Sequence, residues 1–268
     1  MNRQPDPARV ALVTGAARGI GAAAVRRLVA DGLRVVAVDA CLGGVHDLPG
    51  VAHPLAGAEQ LEAVVAPYPD AVVAVRADVR DLDALRAAAG TALERWGRLD
   101  AVVAAAAVIS GGSPLWETPA EEARALIDID AGGVWNTAVA TVPHLLRSPD
   151  PSGARFVAIA SAAGDRGLFG LSAYVVAKHA VVGIVRALAA DLVGTGVTAT
   201  AISPGSTRTD MLSATADIYG TGIDDLAQSQ LIRTTLSPED LAAVIGLAVS
   251  PAGRALNGGI VHADGGFS

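Results

Sequence analysis

Residues 10–21 read Val10-Ala11-Leu12-Val13-Thr14-Gly15-Ala16-Ala17-Arg18-Gly19-Ile20-Gly21. The apolar run Val10–Val13 predicts a buried strand, and the apolar spacing of Ile20–Asp31 predicts a helix that begins within the glycine-rich turn. Glycines allow the backbone to turn tightly and to approach a ligand, and the positive end of a helix dipole stabilises phosphate. The order strand, glycine turn, helix predicts a dinucleotide-binding turn with the candidate cofactor residues Gly15, Arg18, Gly19, Ile20 and Gly21.

Strands and helices alternate along the rest of the chain. Short apolar runs predict strands at Val10–Val13, Arg34–Val38, Ala71–Arg76, Ala101–Ala105, Arg155–Ala160, Val197–Ile202 and Gly259–His262. Helical patterns lie between them at Ile20–Asp31, Leu82–Trp96, Ala120–Leu146, Ala173–Leu192 and Pro238–Val249. The alternation predicts an α/β fold in a single domain, residues 1–268, with helices on both faces of a Rossmann-type, doubly wound parallel sheet of about seven strands.

Composition excludes several classes of protein. The chain has 268 residues, of which 51% are hydrophobic and 3% aromatic, so small aliphatic side chains must form the core. Its 20 basic and 27 acidic residues leave no basic stripe, which argues against a nucleic-acid partner. We find no apolar run long enough to span a bilayer, no signal peptide and no metal-ligand pattern. With Cys41 as the lone cysteine no internal disulfide can form, and we expect a cytoplasmic protein.

Two aspartates follow predicted strands at positions that suit the adenosine half of a dinucleotide. Asp39 ends the second strand, where a carboxylate accepts hydrogen bonds from the ribose and repels a 2′-phosphate. Arg18 instead favours NADP, since an arginine at this position can bind a 2′-phosphate. We give more weight to Asp39 and predict NAD as the cofactor. Alternatively, Asp39 is a turn residue. Asp78 is a candidate for the adenine amino group, and capping the helix at Leu82 is a compatible role.

The lone lysine follows a tyrosine at helical spacing. Lys178 is the one lysine beside nineteen arginines, and it comes four residues after Tyr174. Residues four apart share one face of a helix, so the ammonium can lie beside the phenol and lower its pKa from about 10. Tyr174 is therefore a candidate general acid/base. Alternatively, the two residues are an unremarkable surface pair.

Ser161 lies at the end of the fifth predicted strand, thirteen residues before Tyr174. With the glycine turn, Asp39, Tyr174–Lys178 and Ser203-Pro204-Gly205, it makes the chain resemble the short-chain dehydrogenase/reductase family from about Ala8 to Phe267. The resemblance implies that Tyr174 is the general acid/base, that Lys178 holds the nicotinamide ribose and lowers the tyrosine pKa, and that Ser161 hydrogen-bonds the substrate oxygen. It also implies cofactor contacts from Val79, Ala104, Tyr174, Lys178, Pro204 and Thr207.

The chain departs from the family pattern at two places. The family usually has Asn-Asn-Ala-Gly after the fourth strand, and this chain has Ala104–Ala107. The family's fourth catalytic residue is an asparagine three positions before a glycine, and aligning on Gly133 puts Asp130 there. An aspartate can still accept a hydrogen bond from a relay water, and its charge would hold Lys178 protonated more firmly. Alternatively, it weakens the relay and slows turnover.

The stretch after Asp39 is longer than the fold needs. Asp39 and Asp78 are 39 residues apart, and we assign the surplus to Cys41–Leu61. Its His53-Pro54-Leu55-Ala56 resembles the insertion of mycofactocin-associated, carveol-dehydrogenase-like members of the family. That resemblance implies NAD buried under the insertion, with electrons passed to an external redox carrier. The alternative is an ordinary surface loop. We expect Cys41 itself to be a packed, unreactive residue.

The substrate side is expected to be apolar. Its candidate residues are Leu168, Phe169, Leu171, Met211, Leu212 and Tyr219. They favour a small hydrophobic alcohol or ketone. The alternative is that several of them belong to the core or to a subunit interface. We expect 211–236 to form a helical lid over the substrate.

These patterns lead to a functional expectation with two alternatives. We expect an NAD-dependent oxidoreductase that interconverts a hydrophobic secondary alcohol and its ketone, with NAD held without exchange. The alternatives are an ordinary carbonyl reductase or dehydrogenase of specialised metabolism whose NAD exchanges, and a non-catalytic NAD-binding regulator. The family resemblance also implies a homo-oligomer, a tetramer or dimer, built through Ala120–Leu146, Ala173–Leu192 and Asn257–Ser268.

Overall fold

The computed structural model of the protein describes residues 8–43, 48, 50–51 and 53–267. Seven parallel strands form one sheet in the order β3-β2-β1-β4-β5-β6-β7. The strands are β1 (Val10–Thr14), β2 (Arg34–Asp39), β3 (Val72–Arg76), β4 (Ala101–Ala104), β5 (Arg155–Ile159), β6 (Thr198–Pro204) and β7 (Ile260–Ala263). The predicted α/β fold and its seven-stranded parallel sheet are confirmed.

Helices cover both faces of this sheet. They are α1 (Gly19–Ala30), α2 (Ala58–Val65), α3 (Leu82–Trp96), α4 (Ala120–Leu126), α5 (Gly132–Leu145), α6 (Ser172–Asp191), α7 (Asp210–Tyr219), α8 (Ile223–Leu226) and α9 (Pro238–Val249). The strands are buried on both sides, so their side chains alternate between two apolar cores. Val10 and Leu12 of β1 face the core under α3, α5 and α6, whereas Ala11 and Val13 face the core under α1 and α9.

The structure differs from the predicted helices in two places. The predicted helix Ala120–Leu146 is interrupted by a π-helical turn at Ile127–Ala131, which lies between α4 and α5. Helix α2 was not predicted from the sequence, because its apolar face is short and the glycines, prolines and histidine ahead of it indicate an irregular loop. Since α2 begins at Ala58, the irregular part of the insertion ends at Gly57 rather than at Leu61.

Helix α6 bears on the expectation that no apolar run is long enough to cross a bilayer, although Lys178 and Arg186 interrupt its apolar residues. It has 20 residues with a mean hydropathy of 1.5, which meets the length and composition of a membrane span. However, its apolar residues Ala177, Val181 and Val185 are buried in the core beneath the sheet. Its composition is therefore explained by packing within the fold.

Parallel strands end together, and this determines where a ligand can lie. Thr14 of β1 is paired with Val38 of β2 on one side and with Ala104 of β4 on the other. The chain changes direction across the sheet between β1 and β4, because β2 and β3 lie on one side and β5 to β7 on the other. Ligands of open α/β sheets bind outside the carboxyl ends of the strands at such a switch point.

Candidate active site

A cavity of about 1100 Å³ lies at the carboxyl ends of the strands. Most of the site residues predicted from the sequence line it, namely Gly15, Arg18, Gly19, Ile20, Gly21, Asp39, Asp78, Val79, Ser161, Tyr174, Lys178, Pro204 and Thr207. Two predicted residues do not line it. Ala104 is buried within β4, where its neighbours Ala105–Ala107 line the cavity instead, and Asp130 lies behind Lys178.

The glycine turn leaves room for a ligand at the start of α1. Gly15 has a φ of +67°, and a Cβ there would lie 2.8 Å from the Cα of Ala106. A Cβ on Gly21 would collide with the carbonyl of Gly15. Among the described residues no side chain caps α1, so its first amides are available to an anion. This cradle fits the pyrophosphate of a dinucleotide.

Thr14 is a part of this cradle that sequence reasoning missed. Its hydroxyl accepts hydrogen bonds from the amides of Ala105 at 3.1 Å and Ala106 at 3.3 Å. The bonds hold the end of β4 against the glycine turn. The available signal was a hydroxyl side chain directly before the first glycine of the turn.

Asp39 and Arg18, the residues predicted to decide between NAD and NADP, both line the cavity. Asp39 accepts hydrogen bonds from the amides of Ala17 at 3.1 Å and Cys41 at 3.0 Å, so its carboxylate is fixed at the end of β2. Arg18, the residue that would favour a 2′-phosphate, forms an ion pair with Asp210 at 2.9 Å. A 2′-phosphate would therefore have to compete with Asp210 for the guanidinium group of Arg18.

Asp78 does not cap α3 as the sequence allowed. Its carboxylate binds Arg80 at 2.6 Å, and Asp81 caps the helix by accepting from the amides of Asp83 and Ala84. The pKa of Asp78 is lowered, since its hydrogen bonds to Arg80 outweigh the opposing effect of burial. Asp78 lines the cavity, with both carboxylate oxygens held by Arg80.

The residues predicted to react meet at the other end of the cavity. Tyr174 and Lys178 lie one turn apart on α6, with Lys178 Nζ 5.4 Å from the centre of the tyrosine ring. Ser161 follows β5 and lines the same wall, and its hydroxyl accepts the amide of Ala163 at 3.1 Å. Lys178 Nζ also donates to the carbonyl of Ile159 at 3.3 Å.

Asp130 supports the lysine from behind. The π-helical turn between α4 and α5 places its carboxylate 3.3 Å from Lys178 Nζ, and its other oxygen accepts the amide of Val108 at 2.8 Å. Asp130 Oδ2 has no further hydrogen-bond partner within the described residues. The structure thus brings Asp130 to the lysine, as the alignment on Gly133 predicted.

The pKa of Tyr174 differs from the expectation that Lys178 lowers it. Burial raises the pKa of Tyr174 above its usual value; Lys178 lowers it in part, and Asp130 raises it further. The predicted effect of Lys178 is therefore present, but it does not prevail in this structure. Burial lowers the pKa of Lys178, but the charge of Asp130, the charge of Tyr174 and the hydrogen bond to Asp130 together raise it above its usual value. Lys178 is consequently an ammonium group near neutral pH.

The insertion contributes to the wall of the cavity. Its described lining residues include Leu42, Leu48, Leu55 and Ala56. Gly44–Asp47, Pro49 and Ala52 lie outside the described residues. Cys41 is buried, and burial followed by the charge of Asp39 raises the pKa of its thiol to about 11. A thiol with this pKa stays protonated, which agrees with a packed residue.

On the substrate side one prediction is wrong. Leu168, Leu171, Met211, Leu212 and Tyr219 line the cavity, whereas Phe169 does not and is 86% exposed. Met211 begins the segment 211–236, which is helical at α7 and α8. The Tyr174 hydroxyl donates to Met211 Sδ at 3.9 Å.

Comparisons with known proteins agree with this geometry. A family model described as enoyl-(acyl carrier protein) reductase, of the short-chain dehydrogenase type, matches residues 15–268. The chain is 33% identical to an uncharacterised oxidoreductase of Mycobacterium tuberculosis (strain CDC 1551 / Oshkosh), covering 98% of this chain and 97% of that protein. It is 36% identical to (-)-trans-carveol dehydrogenase of Rhodococcus erythropolis, covering 76% and 73%.

A solved structure is similar over nearly the whole chain. The crystal structure of carveol dehydrogenase from Mycobacterium avium in complex with NAD superposes with a TM-score of 0.87 at 28% identity, covering 96% of both chains. With the family match and the relatives above, this shows that the chain belongs to the short-chain dehydrogenase/reductase family. It is an oxidoreductase of that family.

Proposed function

We propose that the protein is an NAD-dependent oxidoreductase that interconverts a hydrophobic secondary alcohol and its ketone. One observation carries the proposal. The cavity joins a glycine turn suited to a pyrophosphate, next to Asp39, with Ser161, Tyr174 and Lys178 at its other end. A pocket with this combination can hold a dinucleotide and place a proton donor beside a second ligand.

Each polar residue then has a distinct role. Tyr174 transfers a proton to or from the substrate oxygen, and Ser161 donates a hydrogen bond to that oxygen. Lys178 is an ammonium group that binds the nicotinamide ribose and favours the ionised form of Tyr174. The bound nicotinamide cofactor supplies the chemistry of hydride transfer with the substrate carbinol carbon.

NAD is favoured over NADP on three grounds. The Asp39 carboxylate occupies the end of β2, and Arg18 is already paired with Asp210. A fixed carboxylate repels a 2′-phosphate and accepts the hydroxyls of an unmodified ribose. The similar carveol dehydrogenase structure contains NAD, which supports the same choice here.

The lining of the substrate end favours an apolar molecule. Leu168, Leu171, Met211 and Leu212 provide aliphatic and thioether surface close to Tyr174. Such surface selects ligands by burial and contributes few polar contacts. The similarity to carveol dehydrogenases supports a small hydrophobic alcohol, and we propose that 211–236 covers it as a lid.

A second candidate differs in how the cofactor is reoxidised. Insertion residues Leu48, Leu55 and Ala56 line the cavity, which favours NAD held through many turnovers. Electrons would then pass to an external, mycofactocin-like redox carrier. In the alternative, an ordinary carbonyl reductase or dehydrogenase, NAD exchanges freely and the insertion is an ordinary loop.

We also propose a cytoplasmic, single-domain protein that assembles as a dimer or tetramer. Trp135 and Val139 are one turn apart on α5 and both are exposed, as is Val176 on α6. Exposed apolar residues on one helix face favour a partner surface. Light scattering of the purified protein measures the assembly directly.

Tyr174→Phe tests the proposed activity. We expect the variant to bind NAD as the native protein does and to lose nearly all turnover of cyclic secondary alcohols such as carveol. Tyr68→Phe is the matched control, because Tyr68 also lines the cavity but precedes the edge strand β3, whereas Ser161 follows β5 on the other side of β1. A regulator without catalysis would bind NAD and show no turnover that depends on Tyr174.

The nucleotide content separates the two candidates. Protein that has been exhaustively desalted is denatured, and the released nucleotide is identified by mass. Near-stoichiometric NAD supports the retained cofactor, and turnover is then measured with an artificial electron acceptor. An empty protein that binds NAD reversibly supports ordinary exchange, and turnover is followed by NADH absorbance.

A further inference from the structure

His53 connects the insertion to the loop that follows β4. Its Nε2 lies 3.2 Å from the backbone nitrogen of Ile109, and its Nδ1 lies 3.0 Å from the carbonyl of Pro54. An amide can only donate and a carbonyl can only accept. Nε2 must therefore be the acceptor and Nδ1 must carry the hydrogen, so these two contacts require the neutral imidazole.

The loop that His53 contacts also reaches the reacting residues. The amide of Val108, directly before Ile109, donates to Asp130 Oδ1 at 2.8 Å. Asp130 in turn pairs with Lys178. Two successive amides of one loop thus have side-chain acceptors, His53 of the insertion for Ile109 and Asp130 behind the lysine for Val108.

Other described residues of the insertion also make contacts near the cavity. The amide of Gly43 donates to the carbonyl of Ala56 at 2.8 Å, which joins the two ends of its irregular part. A Cβ on Gly50 would lie 2.6 Å from the Cα of Glu122, so the insertion packs closely on α4. Leu48 and Leu55 line the cavity between these points.

We propose that His53 is a positioning residue whose neutral imidazole, by accepting the Ile109 amide, fastens residues 53–56 at the wall of the dinucleotide cavity, and that its protonation releases these residues. The inference deepens the proposed function and rests on it, because the ligand that Leu55 and Ala56 would contact is the dinucleotide. A protonated imidazole has two donors and no acceptor, so it cannot retain the bond to Ile109.

The charged groups around His53 are consistent with this role. Burial lowers the pKa of His53 from its ordinary 6.5, and the hydrogen bond to the carbonyl of Pro54 opposes this change. The charge of Arg18 in the glycine turn lowers the pKa of His53 further, and the charge of Asp210 in α7 raises it. Glu122 of α4 is engaged by the hydroxyl of Ser110 at 3.1 Å. Because the pKa is lower in the fastened state, fastening weakens as the pH falls below 6.5.

The rate of NADH release tests the proposal. Protein loaded with NADH is mixed with excess NAD at about pH 5.5 and at about pH 8, on either side of the ordinary imidazole pKa, and the loss of NADH fluorescence is followed. We expect the native protein to release NADH about three- to tenfold faster at the lower pH, as the loss of one hydrogen bond implies. His53→Ala should release it fast at both values.

His53→Gln is the matched control, because its amide oxygen is an acceptor that does not titrate in this range. We expect His53→Gln to release NADH slowly at both pH values. If the native protein and His53→Ala released NADH at equal rates at the higher pH, or if His53→Gln retained the pH dependence of the native protein, the proposal would be wrong.

Hydrogen exchange at the Ile109 amide tests the contact without any nucleotide. We expect faster exchange in His53→Ala than in the native protein at the same pH, with protection restored in His53→Gln. Equal exchange in all three proteins would overturn the role of His53. If instead no protein could be loaded with NADH while exchange changed as expected, the proposed cofactor would be wrong and the contact itself would stand.

Discussion

Asp130 Oδ2 lies 3.3 Å from Lys178 Nζ, and the two side chains are 0% and 2% exposed. Charges interact strongly where solvent is excluded, so each group depends on the other for compensation. Burial is the largest influence on the pKa of Tyr174 and raises it, and Asp130 raises it further. The carboxylate therefore acts on the tyrosine as well as on the lysine.

The substitution Asp130→Asn should retain activity within about tenfold of the native protein or increase it, because the family residue at this position is an amide. An asparagine oxygen can still accept the Val108 amide. Removing the negative charge lowers the pKa of Tyr174. Since alcohol oxidation needs the ionised phenol, the rise of kcat with pH should move to lower pH. Steady-state rates across a pH series measure both effects.

Asp128→Asn is the control for this charge change. Asp128 lies in the same π-helical turn but is exposed to solvent, so the same substitution there should leave the pH profile in place. A loss beyond about tenfold in Asp130→Asn would show that the carboxylate has a role of its own. An unshifted pH profile in Asp130→Asn would contradict its influence on Tyr174.

The sheet and the ends of its strands were predictable because both follow from local patterns. Buried parallel strands produce short apolar runs, and a glycine turn ahead of a helix marks where a phosphate can lie. Asp39 and Ser161 could be placed in one cavity because parallel strands end at the same edge of the sheet, whereas Tyr174, on helix α6, was placed there through its spacing to Lys178 and the family resemblance. Helices α3 and α9 have the predicted bounds, since Asp81 and Ser237 provide clear N-terminal caps.

Contacts between distant segments have no signal in local periodicity. The alignment on Gly133 indicated that Asp130 lies near Lys178, but neither the π-helical turn at Ile127–Ala131 nor the bond from the Val108 amide to Asp130 could be predicted. The bond from Ile109 to His53 spans 56 residues. Phe169 was placed in the cavity for its apolarity alone, although Gly170 beside it has a φ of +67° and the chain turns there.

Cofactor preference should depend on Asp210 as well as on Asp39. Asp210 is 64% exposed and pairs with Arg18 at 2.9 Å. Exposed ion pairs contribute up to about 1 kcal/mol, so Asp210→Asn should raise the ratio of kcat/KM for NADP to that for NAD by up to about fivefold. Asp39→Asn should have a larger effect, since it removes a carboxylate from the ribose itself. Kinetics with both cofactors measure the ratio.

Asp224→Asn is the control for Asp210→Asn. Asp224 is an exposed carboxylate at the start of α8 that pairs with Arg208 at 3.7 Å, so its removal should leave the ratio unchanged. Adding Arg18→Ala to Asp210→Asn should abolish the gain. If the gain persisted without Arg18, the arginine would not be the group that receives the 2′-phosphate.

Two adjacent glycines of α5 should respond in opposite ways to alanine. A Cβ on Gly133 would lie 2.5 Å from Val79 Cγ2, whereas the nearest neighbour of a Cβ on Gly132 is the carbonyl of Ile127 at 3.5 Å. Overpacking costs about 1–3 kcal/mol, so Gly133→Ala should lower the free energy of unfolding. Gly132→Ala should raise it by up to about 1 kcal/mol, because alanine is the better helix former. Denaturant unfolding measures both changes.

Val79 links this packing to the cofactor. It lines the cavity, and its carbonyl accepts the side-chain amide of Asn136 at 3.0 Å. A methyl group on residue 133 must displace Val79, so Gly133→Ala should weaken NAD binding while Gly132→Ala leaves it unchanged. Adding Val79→Ala to Gly133→Ala removes the collision and should recover part of the lost stability, which a double-mutant cycle detects as coupling. Equal stability of the two glycine variants would show that α5 moves away from Val79 at little cost, and the close approach of α5 to Val79 would then have no role in holding the cofactor wall.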